Sequence, residues 1–468
     1  MIEAYLTNHG YTVPGREMRD LQKLWAQWYR GFVDNVHCYR VYDAMRGTVQ
    51  KRRRVLGMAK TVCEDFGCLL INEHVQITAD GFEKLPEILR QNKFMTRMNR
   101  LAEYTMATGT GAVVVFPDEN QNLVIDYYRA DMVYPISWDN DNVTECAFAS
   151  RRVMEQEDGK AREVTYLQIH RRSGDGWVIR NVYLDNAGKE MPLPVGLMEE
   201  TEVSPVPLFQ IVRPNNVNTA DPDSPLGASV FADALEQLAD CDIIWDSYIN
   251  EFVLGKKRLM IPTELATIQL HKTDEEGGEP TLSPIFDPDD ALIYVYEAEK
   301  SDKPIELDMN LRTDAHDQGL QRAVDMLSKK CGLGMGRYKV DADGVKTATE
   351  VVSAKSDLYQ SLKRHEKTFG DAIIGMVRAL AWLSGLDYNM EVSIKFDDSI
   401  IEDENATLDR CIKMVANGFM SRKRAIMRIE KVDEETADQY LAEMAQEARM
   451  TQAAVENVTY NSDIGGDL

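Results

Sequence analysis

Residues 332–350 read GLGMGRYKVDADGVKTATE, and two ligand-binding patterns overlap in them. Gly332, Gly334 and Gly336 suggest a phosphate-cradling loop, while Asp341, Asp343, Gly344 and Glu350 suggest a calcium loop. Neither survives its own spacing. A Walker A loop needs G-x4-GK[ST] so that backbone amides and a lysine hold phosphate, and no GK[ST] follows here. A dinucleotide fingerprint needs G-x-G-x-x-G between a strand and a helix, but Gly336 falls one residue early and the preceding pattern is helical. With Gly344 at calcium-loop position 6, position 1 is Lys339, a cation where the first carboxylate ligand must sit. A local reading accounts for the same residues. Gly332 is the left-handed residue that ends a helix, Asp343–Gly344 is a turn, and Thr347-x-x-Glu350 is a capping box that starts the next helix. The segment is expected to be a hinge-and-loop between two helices.

Both flanks carry the helical period. Before the loop, Leu320, Ala323/Val324, Leu327 and Cys331 form one face over 314–331. After it, Leu358, Leu362, His365, Phe369, Ile373, Met376, Leu380 and Leu383 predict a helix over 348–384, roughly 55 Å long. His365 lies on this apolar stripe and reads as a core histidine. Further upstream, 229–254 predicts a helix of roughly 38 Å. It carries six acids: Asp233, Glu236, Asp240, Asp242, Asp246 and Glu251. A small β-containing insert with the polar tip HKTDEEGGEPT separates it from 314–331. From 109 to 213, glycines and β-branched runs give a β-rich block, preceded by a helix over 94–108. Residues 17–62 read as helix, with Trp25 and Trp28 as core and Lys51–Arg54 as a solvated helix face. A strand over EVSIKFDD and an acidic helical tail complete the chain. The fold class is α+β, mainly helical.

Composition narrows the function. The chain has 468 residues, 44% hydrophobic and 28% charged, which suits two or three folded domains. No segment has the apolar run of a membrane span or a signal peptide, so a soluble protein made in the cytoplasm is expected. Seven scattered cysteines fit reduced thiols better than a zinc site. A net charge of −24 argues against a sequence-specific DNA binder, whose footprint is basic. The charge is uneven: residues 1–60 hold 11 Lys/Arg against 5 Asp/Glu. There is no G-x-S-x-G and no H-E-x-x-H, and the seven histidines are dispersed. The carboxylates at 287–290 and 396–404 read as acidic turns and helix N-terminal charge. No enzyme activity, cofactor or metal is expected.

Four stretches in this order resemble the portal proteins of tailed bacteriophages, of the siphophage-type portal (minor capsid) family. They are LWAQWYRG with VLGMAKTVCEDFGCLLINE (24–31 and 55–73), SPLGASVFADALEQLADCDIIWDSYINEFVLGKKRLMIP (224–262), DGVKTATEVVSAKSDLYQS (343–361) and VSIKFDDSIIEDE (392–404). The resemblance implies a ring of about twelve subunits at one capsid vertex. Double-stranded DNA is packaged through it by a terminase and later ejected toward the tail. It implies a wing over 1–228 and 347–399, stem helices over 229–254 and 312–331, a clip over 255–311, a tunnel loop over 332–346 and a crown over 400–468. It places Arg337, Tyr338, Lys339 and Lys346 of the tunnel loop toward DNA. Thr347 and Glu350 cap the helix after it. The six stem acids are candidates to line the channel and repel phosphate. The clip tip, with His271, Lys272, Asp274, Glu275 and Glu276, is implied to meet terminase or a head–tail adaptor. Major capsid and scaffolding proteins are further implied partners, with the virion as location. Two alternatives stand beside this reading: a non-portal structural or scaffolding protein, which would not form a ring with an axial hole, and a carboxylate–metal enzyme acting on DNA, which would show Mg²⁺-dependent cleavage.

Overall fold

The computed structural model describes residues 1–43, 47–118, 120–155, 161–174, 176–194, 196–201, 203–256, 258–262, 269–271, 281–283, 293–296, 305–308, 310–339, 348–396, 404–430, 432 and 434–446. Contacts divide the chain into two units, Met1–Phe396 and Asp397–Leu468.

The first unit opens with helices α1 (Ile2–Asn8), α2 (Arg16–Tyr29) and α3 (Asp34–His37). A hairpin follows, β1 (Cys38–Asp43) and β2 (Gly47–Arg52), then α4 (Met58–Leu70), β3 (Gln76–Ala79), α5 (Leu85–Gln91) and α6 (Phe94–Thr108). The expectation of continuous helix over 17–62 is therefore corrected. Gly31 adopts φ +80°, and beyond it the three-and-four spacing gives way to a paired ladder, Tyr39 opposite Lys51 and Val41 opposite Val49. Lys51–Arg54 closes this hairpin and is no helix face. Trp25 and Trp28 are buried, as their place on the α2 stripe predicts.

The β-rich block holds β4 (Gly111–Pro117), β5 (Leu123–Arg129), β6 (Val133–Asp139), β7 (Asn142–Glu155), β8 (Ala161–Ser173), β9 (Gly176–Leu184), β10 (Glu190–Met191) and β11 (Phe209–Val212). It forms two sheets, β10-β9-β8-β7-β6 and β11-β4-β5. One face of the larger sheet buries Leu167, Ile169 and Val182 under Tyr5 and Leu6 of α1.

A 3-10 turn over Ala232–Ala234 leads into α7 (Leu235–Leu254). Five short strands follow: β12 (Arg258–Pro262), β13 (Gln269–His271), β14 (Thr281–Ser283), β15 (Ile293–Tyr296) and β16 (Ile305–Leu307). They pair as β15-β12-β16 and β13-β14. Then come α8 (Thr313–Lys330), α9 (Ala348–Leu383) and β17 (Val392–Lys395), which pairs with β3. The α9 stripe buries Leu362, Phe369, Ile373, Met376 and Leu380. His365 lies on it as a satisfied core residue: Nδ1 accepts the Asn215 N–H at 2.9 Å, and the ring meets Phe66 edge-on. The second unit contains α10 (Glu404–Ala416), α11 (Arg422–Ile429) and a helical segment over 434–446. Ser421 caps α11 by accepting the Arg424 N–H, and Lys423 pairs with Glu434 and Asp438.

Candidate functional site

The helix pair α7–α8 and the segment that leaves it carry five of the six candidate acids, with Arg337, Tyr338 and Lys339. Leu238, Asp242 and Asp246 lie four residues apart on one face of α7, and all three are buried. Glu236, Asp240, Ile243 and Ser247 lie on the opposite, exposed face. Of the six acids expected to face a channel, Asp242 and Asp246 are thus spent inside the subunit. His37 Nδ1 accepts the Val33 N–H at 2.7 Å, which puts the ring proton on Nε2, and Nε2–H donates to Asp242 Oδ2 at 2.9 Å. Asp242 Oδ1 accepts the Leu56 N–H at 2.7 Å, and Asp246 Oδ1 accepts the Arg54 N–H at 3.1 Å. Two buried carboxylates therefore clamp the residues on both sides of hairpin β1–β2, where an unmatched carboxylate would be costly.

Glu251 is paired as well. It binds the Arg312 guanidinium in a fork, with Nη2 at 2.7 Å and Nε at 3.0 Å, and also accepts the Arg312 N–H. Hydrogen bonding from Arg312 holds its carboxyl at about 2, well below the usual range. One turn along, His316 Nδ1 donates to the Arg312 carbonyl at 2.8 Å, so its Nε2 accepts from Ser247 Oγ at 3.2 Å. These contacts fix α8 on α7. Asp233, Glu236 and Asp240 remain exposed, and Asp233 accepts the Thr219 hydroxyl.

The glycine segment does not hang free over its described part. The Leu333 N–H reaches the Ser328 carbonyl at 2.9 Å and the Gly332 N–H reaches that of Lys329 at 3.1 Å, with Gly332 at φ +82°. This is the glycine helix stop read from the sequence. Gly334 and Gly336 also take positive φ and turn the chain back along α8. Ser328 Oγ donates to the Gly334 carbonyl, the Gly336 N–H donates to Asp325 Oδ1 at 2.7 Å, and Gln321 Nε2 donates to the Tyr338 carbonyl at 2.9 Å. The strap descends α8 in steps of one helical turn and then reaches α4, where Arg337 Nε donates to Asp65 Oδ2 at 3.0 Å. The Tyr338 hydroxyl is buried near Asp65, and its pKa is pushed up, by burial first and then by that carboxylate. Arg337 is exposed while it holds Asp65, and Tyr338 is half-buried beside it. They fasten the strap to α4. Lys339 is exposed at its end.

Lys346, Thr347, Lys272, Asp274, Glu275 and Glu276 lie outside the described residues, as do 287–290 and 397–403. His271 ends β13, and Glu350 lies in the first turn of α9. The anchors that sequence reasoning missed are His37, Asp65, Asp325 and Gln321. His37 and Asp242 are separated by 205 positions and Arg337 and Asp65 by 272, distances over which no local pattern carries a signal.

A family model described as "Phage portal protein, SPP1 Gp6-like" matches residues 35–453. Among solved structures, the chain is similar to a protein in the "Virion of native gene transfer agent (GTA) particle", at 13% identity and TM-score 0.40, covering 87% of this chain and 93% of that one. It is also similar to one in the "Neck of native GTA particle computed with C12 symmetry", at 12% identity and TM-score 0.39, covering 79% and 89%. No curated protein matches.

Proposed function

Because the chain belongs to the phage portal protein family of the SPP1 Gp6 type, we propose that it forms the ring channel at one capsid vertex. Double-stranded DNA is packaged through this ring by a terminase and later ejected. The family match over 35–453 carries the reading. The family resemblance implies a closed ring of about twelve copies, which head-to-tail contacts that close on rotation would form. In this reading 1–228 and 347–399 form the wing, α7 and α8 the stem, 255–311 the clip, 332–346 the tunnel loop and 400–468 the crown.

The chemistry of the helix pair supports it. Phe252, Val253 and Met326 stand exposed on α7 and α8 of the single subunit, a surface that a neighbouring copy would cover. Asp233, Glu236 and Asp240 would leave the channel wall acidic, so that phosphate is repelled and DNA slides. The clip tip, with His271, Lys272, Asp274, Glu275 and Glu276, would meet terminase or the head–tail adaptor. Arg337, Tyr338, Lys339 and Lys346 would be the tunnel-loop residues that approach DNA. Major capsid and scaffolding proteins would surround the wing. The protein would reside in the virion after assembly in the host cytoplasm, with no catalytic role or cofactor of its own.

Negative-stain images and native mass of the purified chain test this. A ring with an axial hole and about twelve copies is the expected result. A particle without an axial hole would replace the portal reading with a non-portal structural role, and Mg²⁺-dependent DNA cleavage would replace it with an enzyme.

A further inference from the structure

Among the described residues, hairpin β1–β2 joins no larger sheet. Its strands pair only with each other among the described residues, so both outer edges present unpaired backbone groups. An isolated two-stranded hairpin is marginal in water and needs a surface to lie on. On one face Arg40, Tyr42, Thr48, Gln50 and Arg52 are all exposed, Tyr42 at 78%. On the other, Val41 and Val49 form a half-buried cross-strand pair.

Its root is held firmly. Asp242 and Asp246 clamp His37, Arg54 and Leu56, and the Arg53 guanidinium donates to the Val36 carbonyl at 2.6 Å. A hairpin with a fixed root loses little freedom when its strands dock.

We propose that this hairpin is an arm that docks on a second copy of the chain, an inference that rests on the ring reading above. Charge selects the occupant. Residues 38–54 hold six Lys/Arg and one Asp, and the rest of the chain carries a net −29. Arg40 and Lys51 are exposed and form no ion pair among the described residues. Another copy thus offers an acidic protein surface of complementary charge. Nucleic acid offers negative charge too, but a phosphate backbone gives the Val41–Val49 pair nothing apolar to bury against. An arm reaching forward from each copy to the next is a head-to-tail contact, the kind that closes into a ring.

The test uses the full chain. Tyr42→p-benzoylphenylalanine is irradiated in the assembled particle, and Arg40→Glu with Lys51→Glu is assayed for assembly across salt concentrations. The expected results are a covalent ladder of protein multimers and an assembly rate about tenfold lower in the double variant at low salt, with the difference fading at high salt. An unchanged monomer melt and circular dichroism spectrum shows that the double variant is folded. Rings that form at the unaltered rate in the double variant, with no cross-link between copies, overturn this inference alone. A cross-link to DNA overturns it in favour of a nucleic-acid contact. A wild-type chain that stays monomeric at every concentration overturns the ring reading and the arm with it.

Discussion

Arg337 on the glycine strap donates to Asp65 on α4 at 3.0 Å, a bond between residues 272 positions apart. It turns a segment that looks like a free cationic loop into one tied down at residue 337. Two roles for Arg337 can be separated by changing its partner. If the guanidinium serves as a latch, Asp65→Asn and Arg337→Gln give the same defect in DNA retention, and rings still assemble. A double-mutant cycle on the unassembled subunit should give a coupling of about 0.5–1 kcal/mol for this partly exposed pair. A retention defect in Arg337→Gln that Asp65→Asn does not share would mean that the arginine acts on DNA directly.

The α7 acids are predicted to divide sharply. Asp242→Ala removes the acceptor of the His37 Nε2–H and the Leu56 N–H, both in a dry environment, and should cost about 3 kcal/mol in urea unfolding of the subunit. Glu236→Gln on the opposite, exposed face should stay within about 0.5 kcal/mol of the parent. Equal effects at the two positions would refute the assignment of Asp242 to the clamp.

What could be read from the sequence was what local chemistry determines. The α6, α8 and α9 helices announce themselves because an apolar stripe repeats every three or four residues, and Gly332 does so because a helix stop is made within six residues. The clamp and the latch were not legible: Asp242 looks like any other helix-surface acid until His37 is brought against it. The hairpin was hidden by its own charge. Lys51, Arg52, Arg53 and Arg54 resemble a helix face, and only the pairing with Cys38–Asp43 places them at a strand end. Residues 332–339 were legible as a helix stop but not as a strap, because its anchors Asp325 and Gln321 are ordinary polar residues of α8.

The end of α6 meets the segment leading to α7 through two glycines. A Cβ on Gly227 would lie 2.3 Å from the Gly109 carbonyl oxygen, and one on Gly109 would lie 2.2 Å from that of Gly227, with Gly109 also at φ +80°. Both clashes are with backbone, which cannot swing aside. Gly109→Ala and Gly227→Ala should each destabilise the subunit by about 2–3 kcal/mol. Calorimetry of either variant with an unchanged melting temperature would show that the two backbones separate at little cost.

His170 should make stability fall in mild acid. Its ring is fully buried, with Phe148 and Phe209 edge-on at 5.3 Å, and neither ring nitrogen has a hydrogen-bond partner among the described residues. Burial pushes its pKa down to about 3, whereas the unfolded chain titrates near the ordinary 6.5. The unfolded state therefore takes up a proton first as pH drops. The stability present above about 6.5 is lost by about 1.4 kcal/mol per pH unit as pH falls toward the folded value. His365, lowered to about 4 by burial and then by the neighbouring Arg364 charge, adds a second slope of the same sign. His170→Phe removes one slope and leaves an aromatic ring in an aromatic site. Its stability relative to the parent should rise steadily between pH 6 and pH 4 in urea unfolding of the unassembled subunit. Native carboxylates titrate in both proteins, so the difference between the two curves isolates the histidine. A difference that stays constant across this range would mean that His170 gains its proton as readily in the folded chain as in the unfolded one.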